Sequence, residues 1–281
     1  MPLDPKTSKK INEFVYFQPR TIQEIAKLIK KNWRTADSYV KQISSQMGTI
    51  SIKTLRPGTR GAVKIVYWNS TDNINATQAQ ELLIKKLEVG TTKKDFSPFD
   101  IYQYVPKKKR SSFFEDQEEE NINVKQDLVG SLRKAKSQVL IFSGNLSWVT
   151  IKQGKEKMLD VFTELADKGI YIKVLTKVDI TSLDNVIELL AINTQIGKDM
   201  IEIRHCEQPL RAFIVDNKIA KLKEIKDPKD YDKKRSKKTY IFYEIFDSCW
   251  VEWLQKVFWK FFASSIPAKR RIDDLKTVKR L

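Results

Sequence analysis

A chain of 281 residues with 52 Lys or Arg against 35 Asp or Glu carries a net charge of +17, which predicts more than one domain and a negatively charged partner. Hydrophobic residues at 41% and aromatics at 10% exclude a wholly disordered chain, and nine Gly and nine Pro exclude a collagen-like or linker-dominated one. No stretch approaches the ~18 consecutive apolar residues of a membrane span, and residues 1–20 lack the apolar core of a secretory signal. The expectation is a soluble, cytoplasmic protein with no membrane partner.

The first seventy residues read as three helical patterns and a hairpin. SKKINEFVYF is a modest helix. TIQEIAKLIKK is a stronger one, because Thr21 and Glu24 have capping-box spacing and Ile22, Ile25, Ala26 and Ile29 share a face. After NWR, the run TADSYVKQISSQM puts Ala36, Val40, Ile43 and Met47 on one face, with Gly48 as the stop. Stepping 100° per residue places Arg34, Ser38, Lys41 and Ser45 on the opposite face, with Thr35 and Gln42 beside them. TISIKTLRPGTRGAVKIVYW then reads as two strands around a turn that carries Arg56, Thr59 and Arg60.

This order over residues 8–68 resembles a winged helix-turn-helix domain, which implies that the third helix and the hairpin tip meet double-stranded DNA. Residues 1–69 hold thirteen Lys or Arg and four Asp or Glu, a net +9 that suits a phosphate binder. Arg34 and Gln42 are the expected base readers. A small domain docking another protein is the alternative reading of the same pattern.

Residues 70–124 read as a connector. TQAQELLIKKLEV is a helix, Phe96, Phe99, Tyr102 and Tyr104 tie the next stretch onto a domain surface, and the charge runs KKKR and EDQEEE make 107–121 a mobile loop. From 125 onward helices alternate with strands: QVLIFSG, IYIKVLTK, MIEIRHC, RAFIVDNKIAKLKE as a strand pair, and KTYIFYEI. An α/β domain with a mixed sheet follows, over 125–266. FDSCWVEWLQKVFWKFFASS is a helix whose apolar circumference exceeds one sheet face, which makes Trp250, Trp253, Val257 and Trp259 the expected interface of a homodimer, with burial in the core as the alternative reading of the same face. The tail 267–281 is basic and reads as a disordered or DNA-contacting end.

Cys206 and Cys249 lack CxxC spacing, so no disulfide framework or cysteine zinc site is expected, and the single histidine, His205, excludes multi-histidine metal sites. No metal and no cofactor is expected. The order of strands around FIVDNKIA resembles half of a phospholipase D-like fold, whose HxKxxxxD motif pairs a nucleophilic histidine with a phosphate-steadying lysine. Here the string is PLRAFIVD: Pro209 takes the histidine's place, Arg211 the lysine's, and Asp216 matches the aspartate. The domain is therefore expected to be inactive, with Arg211 and His205 as candidate anion or ligand contacts. The whole arrangement resembles the TrmB family of archaeal transcriptional regulators, which implies a DNA-binding homodimer with a small-molecule effector site. A sequence-tolerant chromatin protein of the nucleoid and a phosphodiesterase or nuclease using His205 are the rival readings.

Overall fold

The computed structural model describes residues 3–55, 62–68, 76–117, 127–227 and 238–278. Three helices, α1 (Pro5–Phe17), α2 (Ile22–Leu28) and α3 (Trp33–Gln46), stand on a small sheet of β1 (Arg20–Thr21), β2 (Ile50–Leu55) and β3 (Val63–Trp68), in the order β1-β3-β2. This is a winged helix-turn-helix. Asp4, Thr21 and Asn32 each cap the helix that follows by accepting a backbone N–H. Ala36, Val40 and Ile43 are buried as their spacing predicts, with Ile11, Ile25 and Val66 around them. Met47, assigned to the same face, is instead 58% exposed, because α3 ends at Gln46 and the chain turns away before another helical step.

The second domain is built on one sheet of eight strands. The connector helices α4 (Ala76–Val89) and α5 (Phe99–Tyr102) and a short 3₁₀ turn (Lys107–Lys109) lead into β4 (Arg110–Gln117). Next come α6 (Leu128–Arg133), β5 (Gln138–Phe142), the small β6 (Lys152–Gln153) and β7 (Glu156–Lys157) ribbon, α7 (Met158–Asp167), β8 (Tyr171–Thr176), α8 (Leu183–Ile196) and β9 (Ile201–His205). β10 (Ala212–Val215), β11 (Ile219–Lys226), β12 (Lys238–Ile245), α9 (Ser248–Ser264), β13 (Ile266–Pro267) and α10 (Ala268–Val278) complete the chain. The strands run β13-β9-β8-β5-β10-β11-β12-β4, with β5, β8 and β9 parallel and the other pairings antiparallel.

Two expectations fail here. Residues 110–117 form the edge strand β4, paired with β12 from Arg110↔Ile245 to Lys238↔Gln117, where a mobile loop was expected; 118–121 lie outside the described residues. The three lysines of the KKKR run form the turn before the strand and Arg110 begins it, while Phe113 stacks on Phe242 and Phe114 is buried. The tail also folds: α10 lays Ala268 and Ile272 into the core beside Ile201 and Ile203.

One face of the sheet is covered by α6, α7, α8 and α10, the other by α9. On the second face Trp250, Trp253 and Val257 are at most 8% exposed, packed with Phe96, Phe99, Leu83 and Leu87 of the connector. Three of the four residues assigned to a dimer interface are thus core, because α4 and α5 supply the cover that one sheet face could not. Trp259, 38% exposed, remains at the surface.

The same cluster takes in Leu55, Val63 and Ile65 of the wing, so the two domains share apolar contact. A buried polar junction lies beside it. Glu24 accepts from the Thr21 N–H and Oγ1 at 2.7 and 2.8 Å, and its other oxygen meets Lys226 of β11 at 3.2 Å. Lys226 also pairs with Glu224 at 3.2 Å, which in turn accepts from Ser97 and Tyr243. Burial alone would raise the Glu24 pKa, but Lys226, the Thr21 donors and Arg20 outweigh it and hold the carboxyl below its ordinary 4.5.

A depressed carboxyl stabilises the fold above its unfolded pKa and loses that contribution as pH falls through the lower folded value. Glu24→Ala should therefore cost about 3 kcal/mol at pH 7, from a lost cap and a broken buried pair, and the variant should unfold with a flatter pH dependence below pH 4.5. Urea titrations at pH 7 and in the acid range measure both.

Candidate nucleic-acid interface

The residues assigned to the outer face of α3 are where the helical spacing puts them. Arg34, Ser38, Lys41 and Ser45 are exposed, and Thr35 and Gln42 are half-buried at the edges. Their freedom differs. Thr35 donates its N–H and Oγ1 to Asn32 Oδ1 at 2.9 and 3.0 Å, so it is committed to the cap, and Ser45 Oγ donates to the Gln42 carbonyl. Arg34 lies over the Trp33 ring at 5.8 Å, leaving an exposed arginine beside an exposed indole at the first turn. Arg56, Thr59 and Arg60 lie outside the described residues.

Lys41 is not a free charge. Asp37, nearly buried one turn earlier, holds Lys41 at 2.9 Å and Lys64 of β3 at 2.5 Å. Burial would raise the Asp37 pKa; hydrogen bonds from the two lysines reverse this and keep it below the usual carboxylate value, and the same contact raises that of Lys41. The carboxylate ties the wing to the helix and neutralises part of the face. The Lys41 side chain is exposed and Lys64 also pairs with Asp37, so Lys41 can exchange the carboxylate for a phosphate without leaving Asp37 unpaired.

The positive charge concentrates instead at the turn between α2 and α3, where Lys27, Lys30, Lys31 and Arg34 are all exposed. Lys30 has φ 54, the left-handed conformation that lets the chain reverse within a few residues, and the Lys30 and Lys31 N–H groups return to the carbonyls of Lys27 and Ala26. The run KLIKKNWR was the visible signal for this cluster, but helical stepping from α3 alone passes over it.

The string PLRAFIVD leads into β10 and ends at the turn of the β10 and β11 hairpin. Asp216, at φ 46, accepts from the backbone N–H groups of Lys136, Ser137 and Gln138 and from Ser137 Oγ, all within 3.0 Å. Those donors outweigh burial and hold its pKa low; it anchors a turn. Pro209 is buried against Gly90, where a Cβ would stand 2.8 Å from the proline ring. His205 Nδ1 accepts the Val178 N–H at 2.9 Å, and burial together with Arg271 holds its pKa below the ordinary histidine value. Arg211 lines the cleft above this hairpin, and His205 stands on β9 next to Cys206, which also lines it. Among the described residues no group of three His, Cys, Asp or Glu could hold a metal ion, and no helix is long and apolar enough to cross a membrane.

Two outcomes follow for the interface. Lys30→Gly should raise stability by about 0.5–1 kcal/mol through relief of the left-handed strain while weakening duplex binding, as read by thermal melting and fluorescence anisotropy. Asp37→Asn should do the reverse, tightening duplex binding severalfold and steepening its salt dependence, because two lysines are released.

No family model matches the chain, and no curated protein matches it. Among solved structures the chain is similar to TrmBL2, described as an archaeal chromatin protein with a novel mode of DNA binding, at 15% identity and a TM-score of 0.39 over 94% of each chain. It is similar to Nuc, a phospholipase D family member from Salmonella typhimurium, at 11% identity and a TM-score of 0.40, covering 56% of this chain and 97% of that one. NucT from Helicobacter pylori gives 12% identity and a TM-score of 0.39 over 56% and 99%.

Proposed function

We propose that this chain is a double-stranded DNA-binding protein of the TrmB type, with a regulator-like homodimeric assembly and a second domain that senses or assembles and does not catalyse. One observation carries the reading: the exposed cluster Lys27, Lys30, Lys31 and Arg34 sits at the turn of a winged helix-turn-helix whose third helix turns a polar face outward. Phosphate contacts from the turn would set the register of the duplex, and Arg34 and Gln42 would read base edges in the major groove.

The absence of catalysis rests on chemistry. Phosphodiester cleavage by a covalent route needs an activated nucleophile in reach of the bound phosphorus. Pro209 supplies none, and the one histidine is held by a backbone N–H outside the cleft. Dimerisation rests on the small footprint of a single winged helix, since two half-sites about 34 Å apart give a dimer its specificity. With Trp250, Trp253 and Val257 buried, Trp259 is the one of these four α9 residues left for that contact.

Arg34→Ala should weaken duplex binding by about 1–3 kcal/mol and relax sequence preference, whereas Lys31→Ala should weaken all sequences alike and reduce the salt slope by about one. Equal affinity of wild type and both variants, measured by anisotropy, would remove this helix from the DNA. Footprinting separates a short protected site, the regulator, from continuous coating, the chromatin protein. No turnover of labelled oligonucleotides or of bis(p-nitrophenyl) phosphate is expected, and turnover lost in His205→Ala would overturn the inactive reading. Light scattering should give a dimer that Trp259→Glu dissociates; a wild-type monomer that still binds tightly would overturn the assembly.

A further inference from the structure

A cleft of about 720 Å³ opens where the parallel strands β5 and β8 meet the antiparallel half of the sheet. Ser143 and Gly144 lie at the end of β5, Arg211 enters β10, Lys223 is on β11 and Tyr240 on β12. The crevice beyond the carboxyl ends of parallel strands, at the point where strand direction changes, is where open α/β sheets take ligands, and the volume suits a small organic molecule.

Besides Lys238 of β12, the cations that line this cleft are of two kinds. Lys177 pairs with Glu207 at 2.9 Å and Lys93 with Asp227 at 3.1 Å, so their charges are balanced. Arg211 and Lys223 have no carboxylate partner within ion-pair distance among the described residues. Arg211 donates only to the carbonyls of Gln208 and Leu210, at 3.3 and 2.6 Å. Lys223 lies over the Tyr240 ring at 4.3 Å, and Glu115 acts on it only at longer range.

These two cations are cross-strand neighbours. The Lys223 N–H donates to the Arg211 carbonyl at 2.8 Å, continuing the register Ala212↔Leu222, so both side chains stand on the same face. Like charges directly opposite one another destabilise a sheet. The neighbouring position shows the ordinary solution: Lys221, two residues back on the same face, meets Glu244 of β12 at 2.7 Å. Lys223 has Phe242 opposite it instead. Gly144 has the complementary feature, since a Cβ there would run into the Arg211 guanidinium, so the glycine leaves that head group its place beside the end of β5. Burial moves Arg211 down to about 10 and Lys223 down to about 8.

We propose that this cleft binds the phosphate or pyrophosphate group of a small organic molecule between Arg211 and Lys223, with Tyr240 and Ile225 beside its organic part. A multivalent anion supplies the charge that the fold withholds, and the bidentate guanidinium and point-charge ammonium are complementary phosphate donors. The group is held and not cleaved, because Pro209 stands where a nucleophile would be required. The site does not depend on the DNA-binding reading.

The test uses the full chain with inorganic pyrophosphate as probe, by calorimetry and thermal melting at constant ionic strength. Saturable binding with a rise in Tm is expected, and Lys223→Met and Arg211→Met should each weaken it at least tenfold. Lys223→Met should melt no lower than wild type without the probe, because it removes an unpaired desolvated charge. Lys223→Gln gives a second variant of the same charge loss in case a methionine or the Arg211 change impairs folding. Non-saturable binding, or equal affinity in wild type and the folded variants, would overturn the proposal. A saturating 20-base-pair duplex should leave pyrophosphate affinity unchanged; displacement by duplex, with DNA affinity falling in Lys223→Met, would assign the cleft to the DNA backbone and overturn the small-molecule site.

Discussion

The Glu24 carboxylate is shared between a local motif and a distant strand: one oxygen closes the capping box of α2, and the other receives Lys226 from β11. An exposed capping box contributes to one helix end only. Burying it against a lysine of the sheet makes the start of α2 a point of attachment for the whole winged helix. The contact is stable because every partner is satisfied in turn, Lys226 by Glu224 and Glu224 by Ser97 and Tyr243. Removing one member leaves a charge in a dry site, which is why the junction imposes an orientation more strongly than an apolar contact of equal area would.

The same strand serves both the junction and the cleft. Lys223 in the cleft and Lys226 in the junction lie three residues apart on β11, and β12 carries Tyr240 under Lys223 and Tyr243, which donates to Glu224 of the junction. The wing is tied in from its other side, through Leu55, Val63 and Ile65 in the large core and through Lys64 on Asp37 of α3. The outer face of α3 is thus placed by packing and charge from both domains.

The hairpin of β10 and β11 is held at its turn by one carboxylate. Asp216 gives four donors a common acceptor at a left-handed turn. Pro209 is tolerated because the position is buried under Gly90 and leads into β10 without being part of it.

Features set by near neighbours were legible in the residues themselves: the Thr21–Glu24 box, the inward Ala36, Val40 and Ile43, the outward Arg34, Ser38 and Lys41, and the alternation of strand and helix from β5 to β9. Each depends on a period or a spacing that the chain carries along its own length. What only the tertiary structure decided are pairings between segments far apart. β4 is a strand because β12 lies beside it, although its flanking charges read as a loop. Trp250, Trp253 and Val257 are core because α4 and α5 come back over α9. Lys41 is tied because Asp37 also faces the wing, and Lys221 is paired while Lys223 is not because register puts Glu244 opposite one and Phe242 opposite the other. Whether a charge is balanced, or an apolar side chain covered, is a property of its neighbours in space, and periodicity along one segment carries no information about them.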